Sequence, residues 1–185
     1  MKGLILSCSL NKKSFGSQIA QYIVQKYPSF DSVLIKDCDF GLCDGYDGSA
    51  FESQKLQALQ KKIEASDGVI ILAPIYNFDV SASCKNLLDL LSKPYKDQLT
   101  GKSLRHKTIA FIGTCIHTTS YLAPMNFLAK TMLSHEAFIF PKHLILSPEE
   151  PEDRYARCIE KLITQFKQMT LALKDFDDFE EQSTC

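Results

Sequence analysis

Apolar positions along the chain follow two periods that alternate. The unbroken runs Leu4-Ile5-Leu6, Val69-Ile70-Ile71-Leu72 and Ile109–Ile112 are too short for an ordinary helix and read as strands buried on both faces. Between them the spacing changes to three and four residues, the signature of one buried helix face. In order, the pattern predicts strand one at Lys2–Ser7, a polar loop at Cys8–Ser14 and a helix carrying Ile19, Tyr22 and Ile23. Strand two follows at Ser32–Asp37, then a long surface loop at Cys38–Ala50 containing Gly41, Gly45 and Gly48. A helix over Ser53–Ser66, with Leu56, Leu59 and Ile63 on one face, leads to strand three at Gly68–Ala73.

The second half repeats the alternation. A helix begins at about Ser81, buries Cys84, Leu87, Leu88 and Leu91, and ends before Pro94. Tyr95–Lys107 is a polar connection and Lys107–Thr114 is strand four. Met125, Leu128, Ala129 and Met132 mark the next helix; strand five is Ala137–Phe140, broken at Pro141 and resumed at Leu144-Ile145-Leu146. A last helix starts near Pro151 with Tyr155, Cys158, Ile159, Leu162, Phe166, Met169 and Leu173 on its face. Five strands alternating with helices imply an α/β fold, a doubly wound five-stranded parallel sheet in the order 2-1-3-4-5. Ligands then belong in the crevice at the carboxyl ends of strands one and three, with strand four on the far side. Residues 1–174 form a single domain, and the tail 175–185, with five acidic residues, is expected to fray and not to lie as an arm on a partner subunit.

Composition narrows the function classes. The 185 residues are 45% hydrophobic and 23% charged, with 21 basic and 22 acidic side chains and a net charge of −1. That balance gives no electrostatic case for nucleic acid or an anionic membrane, and no apolar run is long enough to span a bilayer. The start, Met1-Lys2-Gly3, leads directly into strand one and does not resemble a signal peptide, so a cytoplasmic protein is expected. Seven cysteines, an odd number, fit a reducing compartment better than a disulfide scaffold. Cys84 and Cys158 read as core residues; Cys38 and Cys43 have no second close pair, and the aspartates around them lack calcium-loop spacing, so no metal site is expected.

Chemistry is carried by the loops after strands one, three and four. The first, Ser7–Gly16, brings hydroxyls, an amide and two ammonium groups to a helix N-terminus, where free backbone N–H groups favour an anion. It matches neither Gly-x-Gly-x-x-Gly nor the Walker pattern, which leaves a phosphomonoester as the natural guest. The second, Pro74–Val80, offers Tyr76 and Phe78 as flat apolar surface and the backbone around Asn77 as donors and acceptors for a heteroaromatic rim. Together the loops describe a planar ligand with a phosphate tail.

Two motifs resemble a known family. Ser9-Leu10-Asn11-Lys12-Lys13-Ser14-Phe15 is similar to the phosphate loop of the flavodoxin-like NAD(P)H-dependent FMN reductases, which include azoreductase and quinone reductase relatives. Pro74-Ile75-Tyr76-Asn77, followed by Lys85-Asn86-Leu87-Leu88-Asp89, resembles their ring-binding turn and the helix behind it. The resemblance implies FMN as cofactor, with Ser9 and Ser14 on its phosphate and Pro74, Tyr76, Asn77 and Phe78 bordering the isoalloxazine. The candidate cofactor-binding set is Ser9, Asn11, Lys12, Ser14 and Phe15 on the first loop, Pro74, Ile75, Tyr76, Asn77 and Phe78 on the second, and Gly113 and Thr114 on the third. It further implies NADPH or NADH as transient co-substrate, a small-molecule electron acceptor such as a quinone, an azo compound or free flavin, and a homodimer or homotetramer.

The sequence departs from the family at two points. Asn11 stands where an arginine is common, so Lys12 or Lys13 must supply the charge. The third loop, Gly113–Ser120, is glycine-poor, and its Cβ atoms would crowd backbone approach to the ring. No side-chain acid or nucleophile is required, because the cofactor carries the chemistry. His117, without an evident partner, is expected at the surface. A flavodoxin-like electron carrier is the alternative reading, and a pI near 6.4 argues against it, since carriers are usually strongly acidic. A tyrosine phosphatase with Cys8 as nucleophile would need arginine where Ser14 stands.

Overall fold

The computed structural model describes residues 1–45, 50, 52–92, 103–116 and 122–183, with the backbone alone for 122, 123 and 175–183. Seven strands and five α-helices are assigned: β1 Gly3–Ser7, α1 Phe15–Lys26, β2 Phe30–Leu34, α2 Gln54–Glu64, β3 Gly68–Tyr76, β4 Asp79–Val80, α3 Ala82–Leu91, β5 Thr108–Thr114, α4 Leu122–Ser134, β6 Phe138–Ile139, β7 Leu144–Leu146 and α5 Glu152–Ser183. Strands are joined in the order β2-β1-β3-β5-β6, with β7 also on β5 and β4 as a hairpin partner of β3. With β6 and β7 counted as one interrupted strand, this is the expected flavodoxin-like doubly wound sheet. All pairings are parallel except β3 with β4.

Side-chain alternation along the strands divides the core into two layers. Leu4, Leu6, Val69, Ile71, Ala73, Ile109 and Phe111 face α2, α3 and α4. Ile5, Ile70, Leu72, Ala110 and Ile112 face α1 and α5, where Ile19, Ile23, Ile159, Leu162 and Phe166 close the second layer. Each fully buried Leu or Ile of this kind contributes roughly 1.5–3 kcal/mol of transfer free energy. Three helices begin on serine caps: Ser14, Ser53 and Ser81 accept hydrogen bonds from the N–H groups of Ser17, Leu56 and Cys84.

Several boundaries differ from the sequence reading. Strand two is Phe30–Leu34, and Ile35–Asp37 closes it as a 3-10 turn. Strand three does not stop at Ala73 but runs through Pro74 to Tyr76, since Pro74 is still in register with Thr114 and its missing N–H falls in a short extension. Strand five is interrupted as expected: Ile109 pairs with Ile139 and Ile112 with Leu144, so two extra residues bulge around Pro141. The last helix continues to Ser183, beyond the Lys174 boundary. Cys158 is exposed, contrary to the core assignment, because the buried stripe of α5 centres on Ile159, Leu162, Ile163 and Phe166. The loop after β2 is not wholly at the surface either: Phe40 and Ala50 are buried. The helix that begins at Ser81 ends at Leu91 with Ser92 as its cap, before Pro94 as expected; the placement of His117 lies outside the described residues.

Candidate functional site

The loop between β1 and α1 is folded by its own polar side chains. Asn11 N–H donates to Ser9 Oγ at 3.2 Å, Lys13 N–H to Asn11 Oδ1 at 3.0 Å, and Ser14 N–H to the Asn11 carbonyl at 3.1 Å. Asn11 is therefore the organiser of the turn, which accounts for an amide where an arginine would have supplied charge. Ser14 Oγ caps Ser17 N–H at 3.1 Å, and its own hydroxyl lies 2.9 Å from that of Ser17. The first two N–H groups of α1, on Phe15 and Gly16, have no acceptor among the described residues. They stand at the positive end of the helix dipole. Beneath them Ser7 Oγ is buried without a partner, and a Cβ added at Gly16 would lie 3.7 Å from it.

At the end of β3 the chain reverses in a two-residue hairpin. Ile75 pairs with Val80 and Tyr76 with Asp79, which leaves Asn77 and Phe78 as the turn, both left-handed, with φ of 50° and 67°. Asn tolerates that region; phenylalanine does not. Ser81 N–H returns to the Pro74 carbonyl at 2.8 Å, and Ser83 Oγ donates to the Cys8 carbonyl at 2.5 Å. The ring-type turn and the phosphate-type loop are thus fixed to each other through the first turn of α3.

The third wall is the end of β5. Cys115 N–H donates to the Leu146 carbonyl at 3.1 Å, and Ser147 Oγ to the Ile116 carbonyl at 2.6 Å, so β7 positions this loop. Gly113 lies under the wall: a Cβ there would come within 2.7 Å of Ile75 Cδ1 and 2.8 Å of Ile145 Cδ1. A side chain there would require the ends of Ile75 and Ile145 to shift.

These loops enclose a cavity of about 750 Å³, within the range of small-ligand sites. Of the sequence candidates, Ser9, Asn11, Ser14 and Phe15 line it from the first loop, and Pro74, Ile75, Tyr76, Asn77 and Thr114 from the other two. Phe15 is held in place by an edge-to-face contact with Tyr155 of α5, ring centroids 5.4 Å apart. Lys12, Phe78 and Gly113 are not on the wall. Lys12 Nζ is 4.0 Å from Asp37 and its side chain is 77% exposed, whereas Lys13 lines the cavity. Phe78 is 78% exposed at the tip of the hairpin. Cys115, Ile116 and Pro148 line the cavity without having been in the candidate set. The first two follow directly on Thr114 and fall within the loop singled out by position. Pro148 carries no sequence signal, because only the sheet order brings the end of β7 beside β5. Lys85, Asn86 and Asp89 lie on α3 directly behind the turn, as expected, and Asn86 has a further part: its Oδ1 accepts from Cys43 N–H at 2.7 Å and its Nδ2 donates to the Gly41 carbonyl at 2.9 Å, fastening the loop after β2.

Neither thiol near the site is poised as a nucleophile. Cys8 is fully buried, and its hydrogen bond with Cys84, then burial, push its pKa well up. Burial, then the Glu150 charge, raise that of Cys115. Thiolate chemistry on the first loop, as a phosphatase would need, is not available. What the walls present is two free N–H groups, hydroxyls and a lysine at one end and aromatic and amide surface at the other. That arrangement fits a planar molecule with a phosphate tail.

Residues 1–150 match the NADPH-dependent FMN reductase family, and the chain belongs to it. It is 29% identical over 109 residues to a quinone reductase of Escherichia coli strain K12, covering 54% of this chain and 55% of that protein. It is 28% identical over 149 residues to a 2-hydroxy-1,4-benzoquinone reductase of a Burkholderia species, covering 77% and 79%. The chain thus spans about half the length of the quinone reductases it matches. In fold it is similar to FerB, a flavoenzyme NAD(P)H:(acceptor) oxidoreductase of Paracoccus denitrificans, with a TM-score of 0.70, 19% identity and coverage of 93% and 98%.

Proposed function

We propose that this protein is an FMN-dependent NAD(P)H oxidoreductase that passes hydride through bound flavin to a small acceptor, a quinone, azo compound or free flavin. The observation that carries the reading is the single cavity joining the open N-terminus of α1 to the Tyr76-Asn77 turn. The N–H groups of Phe15 and Gly16, the hydroxyls of Ser9 and Ser14 and the Lys13 ammonium would hold the phosphate. Pro74, Tyr76, Asn77 and Thr114 would border the ring. Bound FMN supplies an electron-accepting ring that takes hydride from a nicotinamide and gives it to the acceptor. The chain's part is to orient that ring, exclude water beneath it with the apolar floor of β3 and β5, and leave one face open.

Residues 1–174 are the catalytic domain in this reading and 175–185 an acidic extension. Among the described residues no helix is long and apolar enough to cross a membrane, and the six described cysteines are free, which supports a cytoplasmic location. Leu10 and Leu42, 67% and 80% exposed beside a second groove of about 540 Å³, support a homodimer or homotetramer, which light scattering would measure. The deciding experiment is an FMN titration followed by absorption, then NADPH oxidation with and without a quinone. A shift of the flavin bands and quinone-dependent turnover are expected. No shift near saturating FMN refutes the reading, and flavin binding without nicotinamide oxidation would make the protein a carrier.

A further inference from the structure

A second groove, of about 540 Å³, opens on the same edge of the sheet as the cavity. The β1–α1 loop divides the two: Ser9 and Asn11 line the cavity, and Leu10 between them lines the groove. Ile35 and Phe40, both buried and just past β2, line it from one side, and Ala82 and Ser83 at the start of α3 from the other. A further concavity, at Lys2, Phe30 and Ser66, opens at the amino ends of the strands and faces away from both. The groove is pre-formed, as small-ligand sites usually are. Asp39 and Gly41, with φ of 42° and 77°, bend the loop after β2, and Asn86 of α3 fastens it through Cys43 N–H and the Gly41 carbonyl. Ala82 and Ser83 carry the first two N–H groups of α3, and neither has an acceptor among the described residues. Two charged residues line the groove, and they differ. Lys36 has its Nζ 3.9 Å from Asp37 Oδ1 and its side chain is 8% exposed, so its charge is already compensated. Asp39 is exposed, and no hydrogen bond or ion pair engages its carboxylate among the described residues.

We propose that this groove seats the adenosine half of the nicotinamide co-substrate, and that Asp39 makes NADH the preferred one. This rests on the oxidoreductase reading. With flavin in the first cavity and a nicotinamide against its open face, the rest of the dinucleotide must leave the cavity, and the groove is the adjoining concavity on that edge. The elements stand in the order such a molecule needs: the Tyr76-Asn77 turn, then the first turn of α3, then the loop after β2. Open N–H groups at a helix start suit a pyrophosphate. Leu10 and Leu42, both largely exposed, offer apolar surface to a purine. The Asp39 carboxylate accepts a hydrogen bond from a ribose 2′-hydroxyl. A 2′-phosphate would instead set a dianion beside that carboxylate, where the lining lysine is already paired. The preference runs opposite to the NADPH of the family's own description.

The test measures kcat/KM for NADH and for NADPH on the FMN-loaded protein with 1,4-benzoquinone, for wild type, Asp39→Asn and Asp39→Glu. The same proteins are titrated by calorimetry with ADP-ribose and with its 2′-phosphate. Wild type should favour NADH by about tenfold, through KM and not kcat, and by less at high salt, because Asp39 is exposed. Asp39→Asn should bring the ratio to within about twofold of unity, and Asp39→Glu should keep most of it. ADP-ribose should bind wild type more tightly than its 2′-phosphate does, and Asp39→Asn should abolish the difference. A wild type that favours NADPH or neither nucleotide, a ratio that Asp39→Asn leaves unmoved, or ADP-ribose that does not bind overturns the proposal. So does a change of oligomeric mass in Asp39→Asn, which would make the groove an interface between copies. Wild-type protein that takes up no FMN, or oxidises neither nucleotide, overturns the parent reading as well. Failure of the groove alone leaves FMN uptake and quinone turnover intact.

Discussion

At the scale of single residues, the site separates side chains that shape a loop from those that face a ligand. Asn11 spends its amide oxygen on Lys13 N–H and its carbonyl on Ser14 N–H, so its value is geometric. Lys13 contributes an exposed point charge, and such charges act weakly and are screened by salt. Tyr76 offers a whole ring face. Tyr76→Ala should therefore raise the FMN dissociation constant by about tenfold, and Lys13→Ala by only about threefold and less at high salt. Fluorescence titration at two ionic strengths measures both; equal or reversed effects would mean that the ring lies elsewhere. Gly113→Ala places a methyl within 3 Å of Ile75 and Ile145 side-chain ends. Those ends must move, at a cost of about 1–3 kcal/mol, read as a lower urea midpoint with an unchanged slope.

At the scale of elements, the hairpin and α3 act as one piece, tied to the first loop through Ser83 and to the loop after β2 through Asn86. Asn86→Ala removes two hydrogen bonds from one partly exposed loop. It should speed amide exchange around residues 41–43 markedly while leaving the FMN dissociation constant within about twofold. Equal loss of flavin affinity would show that the loop after β2 takes part in the site. The sequence made α3 legible because Cys84, Leu87, Leu88 and Leu91 repeat at helical spacing. It did not show β3 running past Pro74, since proline normally ends a strand and only pairing with Thr114 and Val80 extends this one.

At the scale of the molecule, one buried imidazole and one half-buried one link stability to pH. His135 is buried with neither ring nitrogen hydrogen-bonded, and burial, partly opposed by the Asp89 charge, lowers its pKa. Burial also lowers that of His143, which packs edge-on to Phe111 at 5.5 Å. Above the ordinary histidine pKa of about 6.5, both rings are neutral folded or unfolded and exert no pH dependence. Below it, the unfolded chain binds protons that the folded one does not, so stability falls as pH drops. Urea unfolding should show a lower midpoint at pH 5.5 than at pH 7.5. The difference should shrink in His135→Leu, and an unchanged difference would place the linkage in other groups.

The chain by itself determined the alternation of strand and helix, the parallel order and the two loops proposed to hold a phosphate and a ring, because each is written in local spacing. Short unbroken apolar runs, helical spacing of apolar residues and the Tyr76-Asn77 punctuation need no distant partner to be read. Tertiary structure decided which lysine faces the cavity, for Lys12 and Lys13 are neighbours and only the turn built on Asn11 sends one toward Asp37. It also brought Pro148 to the wall and left Phe78 off it, exposed at the tip of the hairpin. Those outcomes depend on strand adjacency and on the sign of a backbone angle, quantities fixed by contacts between residues far apart in the chain.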